Sequence, residues 1–149
     1  MRASVGRGGF TLLELMVVLA ILVVSAALVL PSLGPGTATL RLRAEARSIV
    51  ALLRQARQLA VSQRRPQTVA IDPVARAVVL RGAEAASPLS RHPLAGEVRL
   101  TAEEGEPSLT FTPRGTVREA TWVLEGAGGR RYRIHVEAVT GRVSLRREV

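Results

Sequence analysis

Cysteine and lysine are absent from the 149 residues, aspartate occurs once, and phenylalanine, tryptophan and tyrosine together number four. Without cysteine there are no disulfides, no thiol chemistry and no cysteine-ligated metal, so stability has to come from packing, and the redox compartment leaves no mark on the composition. The carboxylates, Asp72 and eleven glutamates, contain no pair in a recognisable acid–base setting. His92 stands beside Pro93 and His135 lies in a strand-like segment, neither with a second histidine at metal-ligand spacing. Glu103, Glu104 and Glu106 crowd one turn, where a solvated loop is the plain reading and a gathered cation the sharper one. With no phosphate-cradling glycine loop and no nucleophile motif, the sequence predicts no enzyme, no metal and no cofactor.

What the chain does have is a long apolar run. Phe10 to Leu30 carries a single charge, Glu14, and as a helix it would reach about 30 Å, the thickness of a bilayer's hydrocarbon core. An acid inside a membrane helix costs about 2.5–3.5 kcal/mol on insertion scales and usually marks a partner or a function. Before the run, residues 1–9 hold Arg2 and Arg7 and no acid, which keeps the amino end cytoplasmic under the positive-inside rule. Three readings compete for this stretch: a cleaved secretory signal with Ser25-Ala26-Ala27 as its small-residue site, a plain membrane anchor, and a processed leader. The apolar core runs on past Ser25, and Glu14 is out of place in a secretory signal.

The segment Gly9-Phe10-Thr11-Leu12-Leu13-Glu14-Leu15 resembles the class III leader shared by type IV pilins and the pseudopilins of type II secretion. The resemblance implies that a prepilin peptidase cuts after Gly9 and that Phe10, the new amino terminus, is N-methylated. It also implies a role for Glu14, five positions after the cut. Its carboxylate would meet the positive amine of Phe10 on a neighbouring subunit, so that two charges costly alone in lipid compensate each other. The plain alternative is a lone acid tolerated near the cytoplasmic face of an anchor.

Division of the chain follows: a leader over 1–9, a transmembrane or filament-core helix over 10–36, and one globular domain over 37–149. Pro31, Gly34, Pro35 and Gly36 remove helical donors and add backbone freedom, which predicts a hinge at the end of the first helix. With Thr37 or Thr39 as cap, a second helix is expected over 38–64, where Leu42, Ala46, Ile49, Leu53, Ala56 and Ala60 recur at spacings of three and four. Arg41, Arg43, Arg47, Arg54 and Arg57 fall mostly off that stripe; a solvated face is the plain reading, acidic groups on neighbouring subunits the functional one. From Pro66 onward the pattern turns to short strands over 67–147. These are a hairpin of 67–71 and 75–81 around Asp72-Pro73, a loop over 82–96, a strand over 97–101, an acidic turn over 103–107, and strands at 108–112, 121–124, 131–136 and 143–147.

Two phrases in this half carry a second resemblance. Phe111-Thr112-Pro113-Arg114-Gly115 is similar to the Phe-x-x-x-Gly element of the GspH/FimT family of minor pseudopilins and minor type IV pilins, and Val139-Thr140-Gly141-Arg142-Val143 resembles its closing turn into the last strand. The family implies an α+β, pilin-like fold with a long amino-terminal hydrophobic helix and an antiparallel, β-sandwich-like carboxy-terminal domain. It implies a minor subunit held once through the bacterial inner membrane with its domain in the periplasm. Other pilins or pseudopilins and the prepilin peptidase would be its partners, and its place would be near the tip of a periplasmic or surface filament that supports secretion.

The net charge of +9 rests on arginine alone. A surplus of this size favours anionic partners, and all-arginine usage equally reflects a GC-rich genome. Arg130, Arg131, Arg133, Arg142, Arg146 and Arg147 fall within the last twenty residues. If strands joined by the Gly126–Gly129 turn bring them to one face, they form a candidate phosphate-contacting surface, and the alternative function is a DNA-binding minor pilin for natural transformation. Stacking partners for bases are limited to Trp122 and Tyr132.

Overall fold

A computed structural model describes residues 11–29 and 34–148 of the protein. Two compact units divide between Thr37 and Ala38.

The first unit contains helix α1, Leu12–Val29. Thr11 starts it as an N-cap: the Glu14 N–H donates to Thr11 Oγ1 at 3.2 Å and the Leu15 N–H to the Thr11 carbonyl at 3.2 Å. Glu14 then lies in the first turn, where the amino-terminal helix dipole favours a carboxylate. Beyond it α1 has no polar face. Large side chains from Leu12 to Val24 are exposed on every side, with Leu12 at 78% and Val23 at 68%. At 1.5 Å per residue, its 18 residues reach about 27 Å, and among the described residues no helix is long and apolar enough to cross a membrane. The span expected from Phe10 to Leu30 begins and ends on residues outside those described, as do Gly9 and Pro31.

Helix α2, Gly34–Gln63, begins four residues before the expected start and takes Gly34, Pro35 and Gly36 into its first turn. Proline is tolerated there because the first-turn N–H groups have no intrahelical acceptor to lose. The expected stripe is the buried one: Leu42, Ala46, Ile49, Leu53, Ala56 and Ala60 are at 2% exposure or below. The helix ends at Gln63, before Pro66, through Arg64 in the left-handed region at φ 52°.

Eight strands follow: β1 Gln67–Asp72, β2 Ala77–Gly82, β3 Ser90–Pro93, β4 Arg99–Glu104, β5 Ser108–Phe111, β6 Ala120–Glu125, β7 Arg131–Val136 and β8 Val143–Glu148. They form two antiparallel four-stranded sheets, ordered β3-β2-β1-β5 and β4-β6-β7-β8. Two expectations are corrected. The loop over 82–96 contains β3, whose Ser-Arg-His-Pro sequence has no apolar alternation because it is an edge strand, where proline is admissible. The acidic turn also starts later than expected, since Glu103 and Glu104 belong to β4, with a register shift between Ala102 and Glu104.

One hydrophobic core joins these layers. The α2 stripe packs with Val69, Leu80, Leu109 and Phe111 of the first sheet and with Trp122, Leu124, Ile134, Val136 and Val143 of the second. Burial of each large side chain contributes about 1.5–3 kcal/mol before conformational entropy is set against it. Trp122 adds a directed contact, its Nε1–H donating to the Glu106 carbonyl at 3.1 Å.

Candidate assembly segment and arginine surface

Of the candidate processing and assembly residues Gly9, Phe10 and Glu14, only Glu14 is among the described residues. It is exposed, it is the sole charge in α1, and its backbone N–H is held by the Thr11 hydroxyl. An exposed carboxylate one turn into a helix that is apolar all round is a group without an environment of its own. The same holds for the side chains about it, which have no core to enter within this unit. Covering eleven such side chains would be worth on the order of 10 kcal/mol or more.

In the second unit, the two phrases singled out in the sequence come together. The Phe111–Gly115 element closes on itself through Gly115 N–H to the Thr112 carbonyl and Thr112 N–H to the Thr116 carbonyl, both 2.8 Å. The 139–143 turn closes through Gly141 N–H to the Glu137 carbonyl and Glu137 N–H to the Arg142 carbonyl, both 3.0 Å. Val117 N–H donates to the Ala138 carbonyl at 3.0 Å, which brings one turn onto the other. Gly115 and Gly141 both have positive φ, 80° and 59°, and their backbones meet so closely that no side chain fits at Gly141. Arg57 of α2 lies over the junction, its Nε–H donating to the Gly115 carbonyl at 3.4 Å. Phe111 is itself fully buried, so the phrase anchors in the core at one end and docks on the last turn at the other.

Beside this junction runs a cleft of about 740 Å³ lined by Arg54, Arg57, Gln58, Val61, Thr140 and Arg142, among others. A second hollow of about 570 Å³ shares Arg54 and Gln58 with it and adds Arg47, Val50 and Leu145. Neither is lined by an acid.

The six carboxy-terminal arginines do not gather on one face. Arg130 donates to the Thr39 hydroxyl near the start of α2. Arg131 and Arg133 point away from the core and are held by carboxylates: Arg131 by Glu125 at 3.5 Å, Arg133 by Glu103 at 3.0 Å and Glu148 at 3.2 Å. Arg146 stands opposite Arg133 in the β7–β8 ladder and Arg147 opposite buried Tyr132, so strand alternation sends the two to opposite faces. Arg142 joins α2 instead, at the cleft. From the sequence, Arg47, Arg54 and Arg57 fall mostly off the α2 stripe, either on a solvated face or toward acidic groups on neighbouring subunits. That Arg54 and Arg57 line one cleft with Arg142 was not visible there, because the contacts that bring α2 to this end of the sheet, Arg57 to Gly115 and Arg54 to Val143, span 58 and 89 residues. Of the candidate stacking residues, Trp122 and Tyr132 are both buried, at 1% and 7% exposure.

The histidines have structural partners. His92 Nε2 lies 2.7 Å from Glu45 Oε2, tying β3 to α2, and His135 Nδ1 lies 3.2 Å from Thr121 Oγ1. Glu103, Glu104 and Glu106 separate toward Arg133, Thr121 and Arg118. Among the described residues no three His, Asp or Glu side chains are grouped to hold a metal ion.

Comparison with known proteins agrees with this architecture. The family model for the type II transport protein GspH matches residues 45–140, and that for the prokaryotic N-terminal methylation motif matches residues 6–30. The structure is similar to the type IV minor pilin FimU of Pseudomonas aeruginosa, with 29% identity, a TM-score of 0.59 and coverage of 75% of this chain and 92% of that one. It shares its fold with the minor pseudopilin EpsH from the type 2 secretion system of Vibrio cholerae, with 18% identity, a TM-score of 0.57 and coverage of 70% and 95%. No curated protein sequence matches the chain.

Proposed function

The chain belongs to the family of the type II transport protein GspH, and on that premise we propose that it is a minor pilin-like subunit cut by a prepilin peptidase after Gly9 and assembled near the tip of a type II secretion pseudopilus or type IV pilus. The observation that carries the reading is α1. Its apolar side chains are exposed all round and its single charge is Glu14, within the residues that match the N-terminal methylation motif. Such a helix suits two surroundings in succession, lipid before assembly and the helices of other subunits after it. In both, Glu14 is costly until a positive group meets it, and the freed amine of Phe10 on a neighbour is that group. Before assembly, the amino end is cytoplasmic, α1 lies in the inner membrane, and the second unit stands in the periplasm. The subunit's work is structural. The hinge expected at Pro31, Gly34, Pro35 and Gly36 narrows in this reading to Pro31, since Gly34, Pro35 and Gly36 open helix α2.

Processing tests this directly. Co-expression with a prepilin peptidase should yield a shortened chain whose first residue is N-methylated Phe10, read by mass spectrometry of the amino-terminal peptide. A chain left uncut by an active peptidase overturns the reading.

A further inference from the structure

β8 is an edge strand, last in the order β4-β6-β7-β8. Antiparallel pairing alternates, so which backbone groups it leaves free can be read from one bond. The Arg142 carbonyl accepts from Glu137 N–H while its own N–H donates to the Thr140 hydroxyl; from there Ser144 and Arg146 direct their N–H and C=O groups to β7, whereas Val143, Leu145 and Arg147 direct theirs to the open edge. The Arg54 guanidinium, 3.4 Å from the Val143 carbonyl, lies on that open side. The arginine cleft therefore runs along a strand edge that no other strand among the described residues pairs, with the Val143 carbonyl taken by Arg54. Its wall is α2 with Arg47, Arg54 and Arg57, its end is Arg142, and Val50, Val61 and Leu145 supply apolar lining.

No carboxylate among the described residues offsets the charge here: the lining contains no acid, and none of Arg47, Arg54, Arg57 and Arg142 forms an ion pair within them. Four guanidiniums, apolar lining and a free strand edge together match one class of ligand. Guanidiniums bind carboxylates as paired forks, an open edge binds an extended backbone, and alternating side chains place acids on one side of an added strand and apolar groups on the other. We propose that this cleft receives an extended acidic segment of a partner polypeptide, added to the sheet alongside β8 with its carboxylates on Arg54, Arg57 and Arg142. A nucleic acid fits less well, because it has no use for the strand edge and the aromatic side chains that would stack its bases, Trp122 and Tyr132, are buried. The chain's own acidic segment is not the source, since Glu103, Glu104 and Glu106 are already engaged.

The test uses the full chain in detergent micelles and three fluorescein-labelled probes: a peptide of four glutamate–valine repeats, the same peptide with each valine replaced by proline, and a single-stranded DNA 20-mer. Fluorescence anisotropy should show the glutamate–valine peptide binding, and affinity should fall by about tenfold or more between about 50 and 500 mM NaCl, as screening shortens the reach of the arginine charges. The proline peptide cannot add to a strand edge and should bind at least about tenfold more weakly. Arg54→Gln and Arg142→Ala should each weaken binding by about fivefold or more, and hydrogen exchange should slow at the Leu145 and Arg147 amides when the glutamate–valine peptide is bound. Arg142 holds its turn through backbone groups, so its truncation leaves the fold in place, which circular dichroism checks. Absence of binding, equal binding of the proline peptide, tighter binding of the DNA, or unchanged exchange at Leu145 and Arg147 each overturns the proposal.

Discussion

Replacing Gly141 with alanine tests whether the meeting of the 111–115 and 139–143 turns holds the carboxy-terminal half together. Two costs act at once. At φ +59° an alanine sits in the left-handed region, which costs about 1–2 kcal/mol. Its Cβ would also lie closer than 3.0 Å to the Gly115 carbonyl oxygen and 3.0 Å from Arg57 Cδ and Nε. Arg57 can swing aside, but the Gly115 carbonyl belongs to a turn fixed by its own hydrogen bonds, so one turn must shift at an overpacking cost of about 1–3 kcal/mol. Alanine's lower unfolded-state entropy returns about 0.4–1 kcal/mol, which leaves a net loss of about 1–4.5 kcal/mol. Urea unfolding followed by the fluorescence of Trp122, the single buried tryptophan, measures it, with the slope expected to stay at the wild-type value. Gly96→Ala is the control, because nothing lies within 4 Å of its Cβ position and its φ is not in the positive region. If Gly141→Ala unfolds within about 0.5 kcal/mol of Gly96→Ala, the two turns do not bear on each other as described.

Other perturbations bear on separate parts of the molecule. Glu14→Ala should insert and be cleaved yet fail to co-purify with filament subunits. Glu14→Gln, which keeps the size of the side chain and the backbone bond to Thr11 but not the charge, should fail likewise; normal incorporation of the glutamine variant would refute pairing through the carboxylate charge. Ile49→Ala, at 0% exposure in the middle of the α2 stripe, should lower stability by about 2–4 kcal/mol in the same urea assay, and a loss under about 1 kcal/mol would mean that the helix is loosely seated. Trp122→Phe should cost about 1–3 kcal/mol, because it vacates volume and leaves the Glu106 carbonyl without its donor. Circular dichroism follows that variant, which lacks the fluorescent probe. His92→Ala should cost about 0.5–1.5 kcal/mol by removing the bond to half-buried Glu45; a thermal midpoint equal to wild type would show that the link between β3 and α2 carries no energy.

Local chemistry was enough for the first residues of the chain and for the α2 stripe. An apolar run broken by one acid at a fixed distance from a glycine is a statement about covalent neighbours. A burial stripe at spacings of three and four is a consequence of helical geometry, so both were legible before any coordinates. The strands β1, β2, β5, β6, β7 and β8 were found to within a residue or two because alternation and turn residues mark them. β3 was not, because Ser-Arg-His-Pro has no apolar period: an edge strand is held by the neighbour it pairs with rather than by what it buries. What only the tertiary structure decided is where the arginines go. Six of them within twenty residues suggested one surface, but strand alternation, the β7–β8 register and nearby carboxylates distribute them, and Arg142 meets Arg54 and Arg57 from a helix eighty-odd residues earlier. Charge composition is set by the sequence alone; which charges share a cleft depends on which distant segments the core draws together.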